Sequence, residues 1–162
     1  MEKVIISNIS KDLNYTMISL RKTPMTVFAG KNIVDIFTQK KILIDLFVEN
    51  KLDDYCDVFF TISKKQSMDV KRICDDLVSA YPDITFDMEN NISKITLSGV
   101  GLKSHSKTIK TIAKTISENN LNIKILTLGE IYISYIVDEM MADMFIDKIK
   151  EELKSEGFNV NV

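Results

Sequence analysis

Glycine and proline are scarce in this chain, five and two residues in 162, and no Ser/Gly/Pro-rich stretch interrupts it. Two domains on a flexible tether are therefore not expected; two small units packed closely are. There is one histidine, His105, in a polar turn, where an isolated imidazole is ordinarily solvated and lacks the oriented partner that acid–base catalysis needs. Arginine occurs only at Arg21 and Arg72, too few for a phosphate clamp. The two cysteines, Cys56 and Cys74, fit no metal or redox spacing, and Cys74 falls on an apolar helical stripe as a small buried hydrophobe. No metal site is expected, and a reduced, cytoplasmic setting is. No apolar run has the length of a membrane span, and no signal-peptide core opens the chain. A net charge of −2 provides no basic field for a nucleic acid or an anionic membrane.

What is present is a repeated pattern. In the first half, Tyr15–Leu20 reads as a strand, Ile33, Ile36 and Phe37 as a short helical stripe, and Ile42–Val48 and Asp57–Ile62 as strands. Val70, Ile73, Cys74, Leu77 and Val78 follow at helical spacing, with Ser67 in the N-cap region and Pro82 past the end. Ile84–Met88 is a fourth strand. The second half repeats the order: Ile95–Val100, a helix face of Ile109, Ile112, Ala113 and Ile116, then Asn122–Leu126 and Glu130–Val137 around Gly129. Met141, Phe145, Ile149 and Leu153 recur along a last helix, and Phe158–Val162 alternates weakly as a final strand. Corresponding helices lie roughly 75 residues apart, which is a duplicated domain rather than a solenoid.

The order β-α-β-β-α-β predicts an α+β fold of two ferredoxin-like units, each an antiparallel sheet with both helices on one face. In Ile131, Ile133, Tyr135 and Val137 against Tyr132, Ser134 and Ile136, both faces of one strand carry apolar or aromatic groups. Contact on both sides, hence an interface, is expected.

No catalytic constellation assembles. Gly99-Val100-Gly101 imitates a dinucleotide fingerprint, but Ser104 stands where the third glycine belongs and the sheet is not parallel. Ala29-Gly30-Lys31-Asn32 lacks the glycine and hydroxyl of a P-loop. The two strand-to-helix turns, Pro24–Lys31 and Lys103–Thr108, offer unpaired amides at a positive helix end, a seat for a carboxylate. Ser104, Ser106 and Thr108 could equally cap those donors themselves.

Several segments carry a family resemblance. KITLSGVGLKSH (from Lys94), the NNLNI before an apolar run, and GEIYIS (from Gly129) resemble the second ACT domain of aspartokinase. IDLFVEN (Ile44–Asn50) and DVFFTI (Asp57–Ile62) are similar to the preceding ACT domain. The resemblance spans Val4 to about Leu153. It implies two ACT domains, residues 1–12 with 91–162 and residues 13–90, the latter inserted so that Lys3–Ser7 lends a strand to the second sheet.

The resemblance further implies a regulatory region that binds lysine, threonine or both between ACT domains and controls ATP-dependent phosphorylation of aspartate. Effector contacts map onto Gly30 and Lys31 at the first turn, Ser106 and Lys107 at the second, and Asp45, Asn122 and Ile123 on the following strands. Glu49 and Glu130 would meet a cationic side chain; a surface charge at a strand end explains them equally well. No cofactor is expected here, ATP and Mg belonging to a kinase domain or subunit that would be the partner, with a homodimer through the ACT domains. The family's Pro-Gly pairs are replaced by Gly30-Lys31 and Ser106-Lys107, which favours a rival reading as a dimerisation module without ligand. A freestanding amino-acid sensor for another enzyme is the second rival.

Overall fold

The computed structural model describes residues 5–25, 31–100, 102 and 106–160. In chain order the elements are β1 (Ile5–Asp12), β2 (Tyr15–Pro24), α1 (Lys31–Gln39), β3 (Ile44–Lys51), β4 (Tyr55–Ser63), α2 (Ser67–Ala80) and β5 (Thr85–Glu89). There follow β6 (Ile92–Val100), α3 (Ser106–Glu118), β7 (Ile123–Leu128), β8 (Tyr132–Asp138), α4 (Ala142–Ser155) and β9 (Asn159–Val160). They form two compact units, residues 14–90 and residues 1–13 with 91–162.

The 14–90 unit is a four-stranded antiparallel sheet in the order β3-β4-β2-β5, the ferredoxin-like order predicted by the βαββαβ pattern. Ile18 and Leu20 of β2 and Val58, Phe60 and Ile62 of β4 alternate onto one face. There they join Ile33 and Phe37 of α1 and Val70, Ile73 and Cys74 of α2 in one core. Phe37 meets Phe60 edge-on at 5.2 Å between centroids, a contact worth about 1 kcal/mol beyond area burial.

The second unit has the order β7-β8-β6-β1-β9. Here the fourth place beside the central strand is taken by β1, antiparallel to β6, and the final strand β9 lies outside it, parallel to β1. Ile95 and Leu97 of β6, Ile133, Tyr135 and Val137 of β8, and Ile112, Phe145, Ile149 and Leu153 of the helices make its core. Ser134 and Ile136, on the opposite face of β8, are also buried, whereas Ile131 sits in the preceding turn and is 65% exposed.

Three local expectations need correction. Ser67 does not cap α2 but is its first residue. A 3-10 turn over Lys64–Gln66 precedes it, Ser63 accepts from the Lys65 amide, and the Ser67 hydroxyl donates back to the Lys64 carbonyl. Ala113 is exposed, because the buried arc of α3 is centred on Thr108, Ile112 and Thr115 and Ala113 lies a further step of about 100° past Ile112. At the start of α4 the buried residue is Ala142 rather than Met141, since the helix is entered through a 3-10 turn over Glu139–Met141 that shifts the phase.

Candidate functional site

In each unit the first helix departs from one end of the sheet, and that end is set by strand direction. β3 is antiparallel to β4, and β4 to β2, so the end of β3 lies level with the end of β2, from which the chain passes to α1. Thr23, Cys56 and Lys51 form one cross-strand row at that end, and Leu20, Val58 and Glu49 the adjacent row. Both rows face the helix-covered side, because Leu20, Cys56 and Val58 belong to the core.

Glu49 therefore lies at the helix-start end, as does Glu130, in the turn after β7, by the same register in the second unit. Asp45 lies at the far end of β3. Its carboxylate accepts a hydrogen bond from the Thr61 hydroxyl at 3.1 Å and one from the Tyr15 hydroxyl at 3.5 Å. Asn122 is exposed immediately before β7, and Ile123 pairs with Val137 while packing on the core, both also at the far end. Within each unit the expected contact residues thus fall into two groups at opposite ends of the sheet.

Gly30 lies outside the described residues, and Lys31 is the first residue of α1. Ser106 opens α3 and is exposed. Lys107 next to it is engaged: its ammonium donates to the Glu156 carbonyl at 2.8 Å, faces the Glu156 carboxylate at 3.2 Å, and lies over the Phe158 ring at 5.4 Å. Such a lysine neutralises the negative end of α4. An effector at this turn would have to compete with that pairing.

The polar cluster at the end of the 14–90 sheet was not legible in the sequence. Thr23 is completely buried, and its Oγ1 has no hydrogen-bond partner among the described residues. The same holds for Oε1 of Glu49. The Lys51 ammonium approaches that oxygen at 3.7 Å, close enough for charge attraction yet too far for a hydrogen bond. Burial pushes the Cys56 thiol up, and the nearby Glu49 and Asp57 carboxylates push it further, so it stays a neutral thiol. No signal beyond its strand-end position marks Thr23 in the sequence.

No family model matches the chain. The aspartokinase of Helicobacter pylori is 29% identical over 147 residues, covering 90% of this chain and 36% of its own length; the chain thus spans about a third of that relative. The aspartate kinase of Stutzerimonas stutzeri is 22% identical over the same extent. Among solved structures, the ligand-free regulatory subunit of aspartate kinase from Thermus thermophilus superposes with a TM-score of 0.81 at 16% identity, over 91% of this chain and 97% of that one. A structure of aspartokinase alpha and beta subunits gives 0.81 at 20% identity, over 92% and 99%. Over 90% of its length this chain aligns with aspartokinases, and its fold is that of aspartokinase regulatory subunits.

Proposed function

We propose that this chain is the regulatory, amino-acid-binding region of an aspartokinase, built of two ACT domains. Lysine, threonine or both bind it and alter the rate at which a kinase domain or separate kinase subunit phosphorylates aspartate with ATP. Self-association as a homodimer belongs to the same reading, as does a place in the cytoplasm. The observation that carries the proposal is the likeness, over 97% of its length, to the regulatory subunit of aspartate kinase from Thermus thermophilus.

The physics of the site supports it. A free amino acid presents a carboxylate and an ammonium, and the first amides of a helix have no acceptor within the helix itself. Glu49 and Glu130 stand at the same end as those turns. An effector shifts the arrangement of a linked kinase only by its differential affinity for two states, typically about 1–3 kcal/mol. The rival reading, a dimerisation module without ligand, is favoured at the second turn by the engagement of Lys107 with Glu156.

Thermal unfolding with millimolar lysine or threonine tests the proposal. At a hundred times the Kd the stability gain is about 2.7 kcal/mol, a shift of several degrees. An unchanged Tm with both effectors and with the other common amino acids overturns the reading in favour of the dimerisation module.

A further inference from the structure

We propose that residues 156–160 form a detachable strap, fastened by Lys107 to the start of α3, and that an amino-acid carboxylate bound at that helix start releases it. The inference rests on the amino-acid-binding reading and deepens it, by naming what binding moves in the second unit.

Comparison of the two repeats shows why β9 is free to leave. In the 14–90 unit the strand after the second helix, β5, pairs with the central strand β2 from Met17 to Arg21. In the second unit that place belongs to β1, which pairs with β6 from Ile5 to Asp12. The strand after α4 is therefore surplus to the ferredoxin-like sheet. β9 has two residues, and its pairing joins Asn159 to Ile5 and Val160 to Ile6. So short an edge contact opens locally while the interior strands stay closed.

Phe158 and Val160 pack, partly buried, against the core of the unit. Lys107 adds a fastener from outside the segment. Its ammonium holds the Glu156 carbonyl at 2.8 Å, the Glu156 carboxylate at 3.2 Å and the Phe158 ring at 5.4 Å, so one cation grips both sides of Gly157. Lys107 is also the second residue of α3, and a carboxylate at the first amides of that helix comes within reach of its flexible stem. Such a carboxylate competes for the ammonium and, being negative, repels the Glu156 carboxylate. Both effects act against the strap. Its departure uncovers the outer edge of β1 at Ile5 and Ile6. The second unit then has two states that differ in affinity for the ligand, as control of another domain requires.

Amide hydrogen exchange of the whole chain, with and without saturating lysine or threonine, tests the strap, and melting curves record whether the amino acid binds. Lys107→Met keeps the stem and removes the charge. Exchange over residues 156–160 should quicken by about fivefold to tenfold in that variant, with Leu97 and Ile133 on interior strands unchanged. Bound amino acid should quicken the same residues in the unaltered chain, and add nothing in Lys107→Met. Unaltered exchange in Lys107→Met overturns the strap. An amino acid that raises the Tm yet leaves residues 156–160 as protected as before overturns the release, while amino-acid binding stands. A Tm that no amino acid raises overturns the amino-acid reading, and the release falls with it.

Discussion

Lys41 and Asn120 occupy equivalent positions in the two repeats: each follows the first helix of its unit in the left-handed region, at φ of 55° and 50°. The helices end the same way. The amide of Ile42 donates to the Phe37 carbonyl and that of Leu121 to the Ile116 carbonyl, while Lys41 and Asn120 bond to Thr38 and Ser117. Gly157 closes α4 likewise at φ 81°, with Phe158 bonded to Leu153. Asparagine tolerates this conformation and glycine adopts it freely, whereas lysine is strained by its Cβ.

Lys41→Gly is therefore expected to stabilise the protein by about 0.5–1 kcal/mol, and Asn120→Gly by less. Urea unfolding of the two variants, read as a rise in midpoint at constant m, checks the order. A loss of stability on Lys41→Gly would mean that strain at the helix end is not what this position contributes.

Gly99 is required by a close approach. A Cβ there would stand 2.2 Å from the carbonyl oxygen of Ile5, on the neighbouring strand β1. Backbone cannot yield without parting the strands, so Gly99→Ala should cost roughly 2–3 kcal/mol. At Gly129 the Cβ meets only the Tyr132 ring, at 2.7 Å, and that ring is 46% exposed and able to turn. Gly129→Ala should cost well under half as much in the same denaturation experiment.

Buried hydroxyls with no partner among the described residues lower stability, and two of them can be removed without changing shape. Thr23 Oγ1 and the Tyr135 hydroxyl are unpaired among the described residues. Removing such a group while keeping the shape recovers its desolvation penalty. Thr23→Val and Tyr135→Phe should each raise stability by about 1 kcal/mol, measured by thermal or urea unfolding without ligand.

Burial pushes the Cys74 thiol up to about 12 from an ordinary 9.0. At pH 8 its thiolate is then about a thousandfold rarer than in an unfolded chain, so Cys74 should resist alkylation until the protein is denatured. The folded state holds this proton more tightly than the unfolded one. The associated stability is fully present below pH 9.0 and is lost as pH rises toward about 12. Raised further by burial, Tyr135 acts in the same direction. Stability should fall steeply above pH 9, and Cys74→Ala should soften that fall.

Asp12 of β1 pairs with Lys94 of β6, so joining Leu13 directly to Asn91 leaves Leu13, Asn91, Ile92 and Ser93 to close a hairpin of ordinary loop length. A chain lacking residues 14–90 should keep the five-stranded unit folded, with cooperative unfolding by circular dichroism. A non-cooperative product would show that the unit depends on the inserted residues.

Much of the fold was legible because helices and strands write different periods. Phe145, Ile149 and Leu153 lie on the buried face of α4, and the β-branched and aromatic residues of β4 and β8 lie on interior strands of the two sheets. Errors came where a 3-10 turn shifts the helical phase, at Ser67 and Met141, and where threonines rather than alanine fill the buried arc of α3. Hydropathy ranks alanine above threonine, but the face that is buried depends on what lies across from it.

The candidate site was half legible. Glu49 and Glu130 were recognisable as acids near strand ends. Nothing in the sequence could say that Lys107 would be occupied by Glu156, or that Asp45 would be held by Thr61 and Tyr15. Those pairings join residues far apart in the chain, and local pattern carries no information about them.

Local periodicity determined the kind and order of the helices and strands from β2 onward, because side-chain alternation and helical stripes are properties of neighbouring residues, whereas the strand before β2 was implied only by the family resemblance. Only the tertiary structure decided that β1 fills the fourth place of the second sheet with β9 outside it, and that Thr23 and Glu49 share one end of a covered face. The reason is that strand pairing is a long-range hydrogen-bond choice among segments of similar apolar character, and only the folded sheet makes that choice.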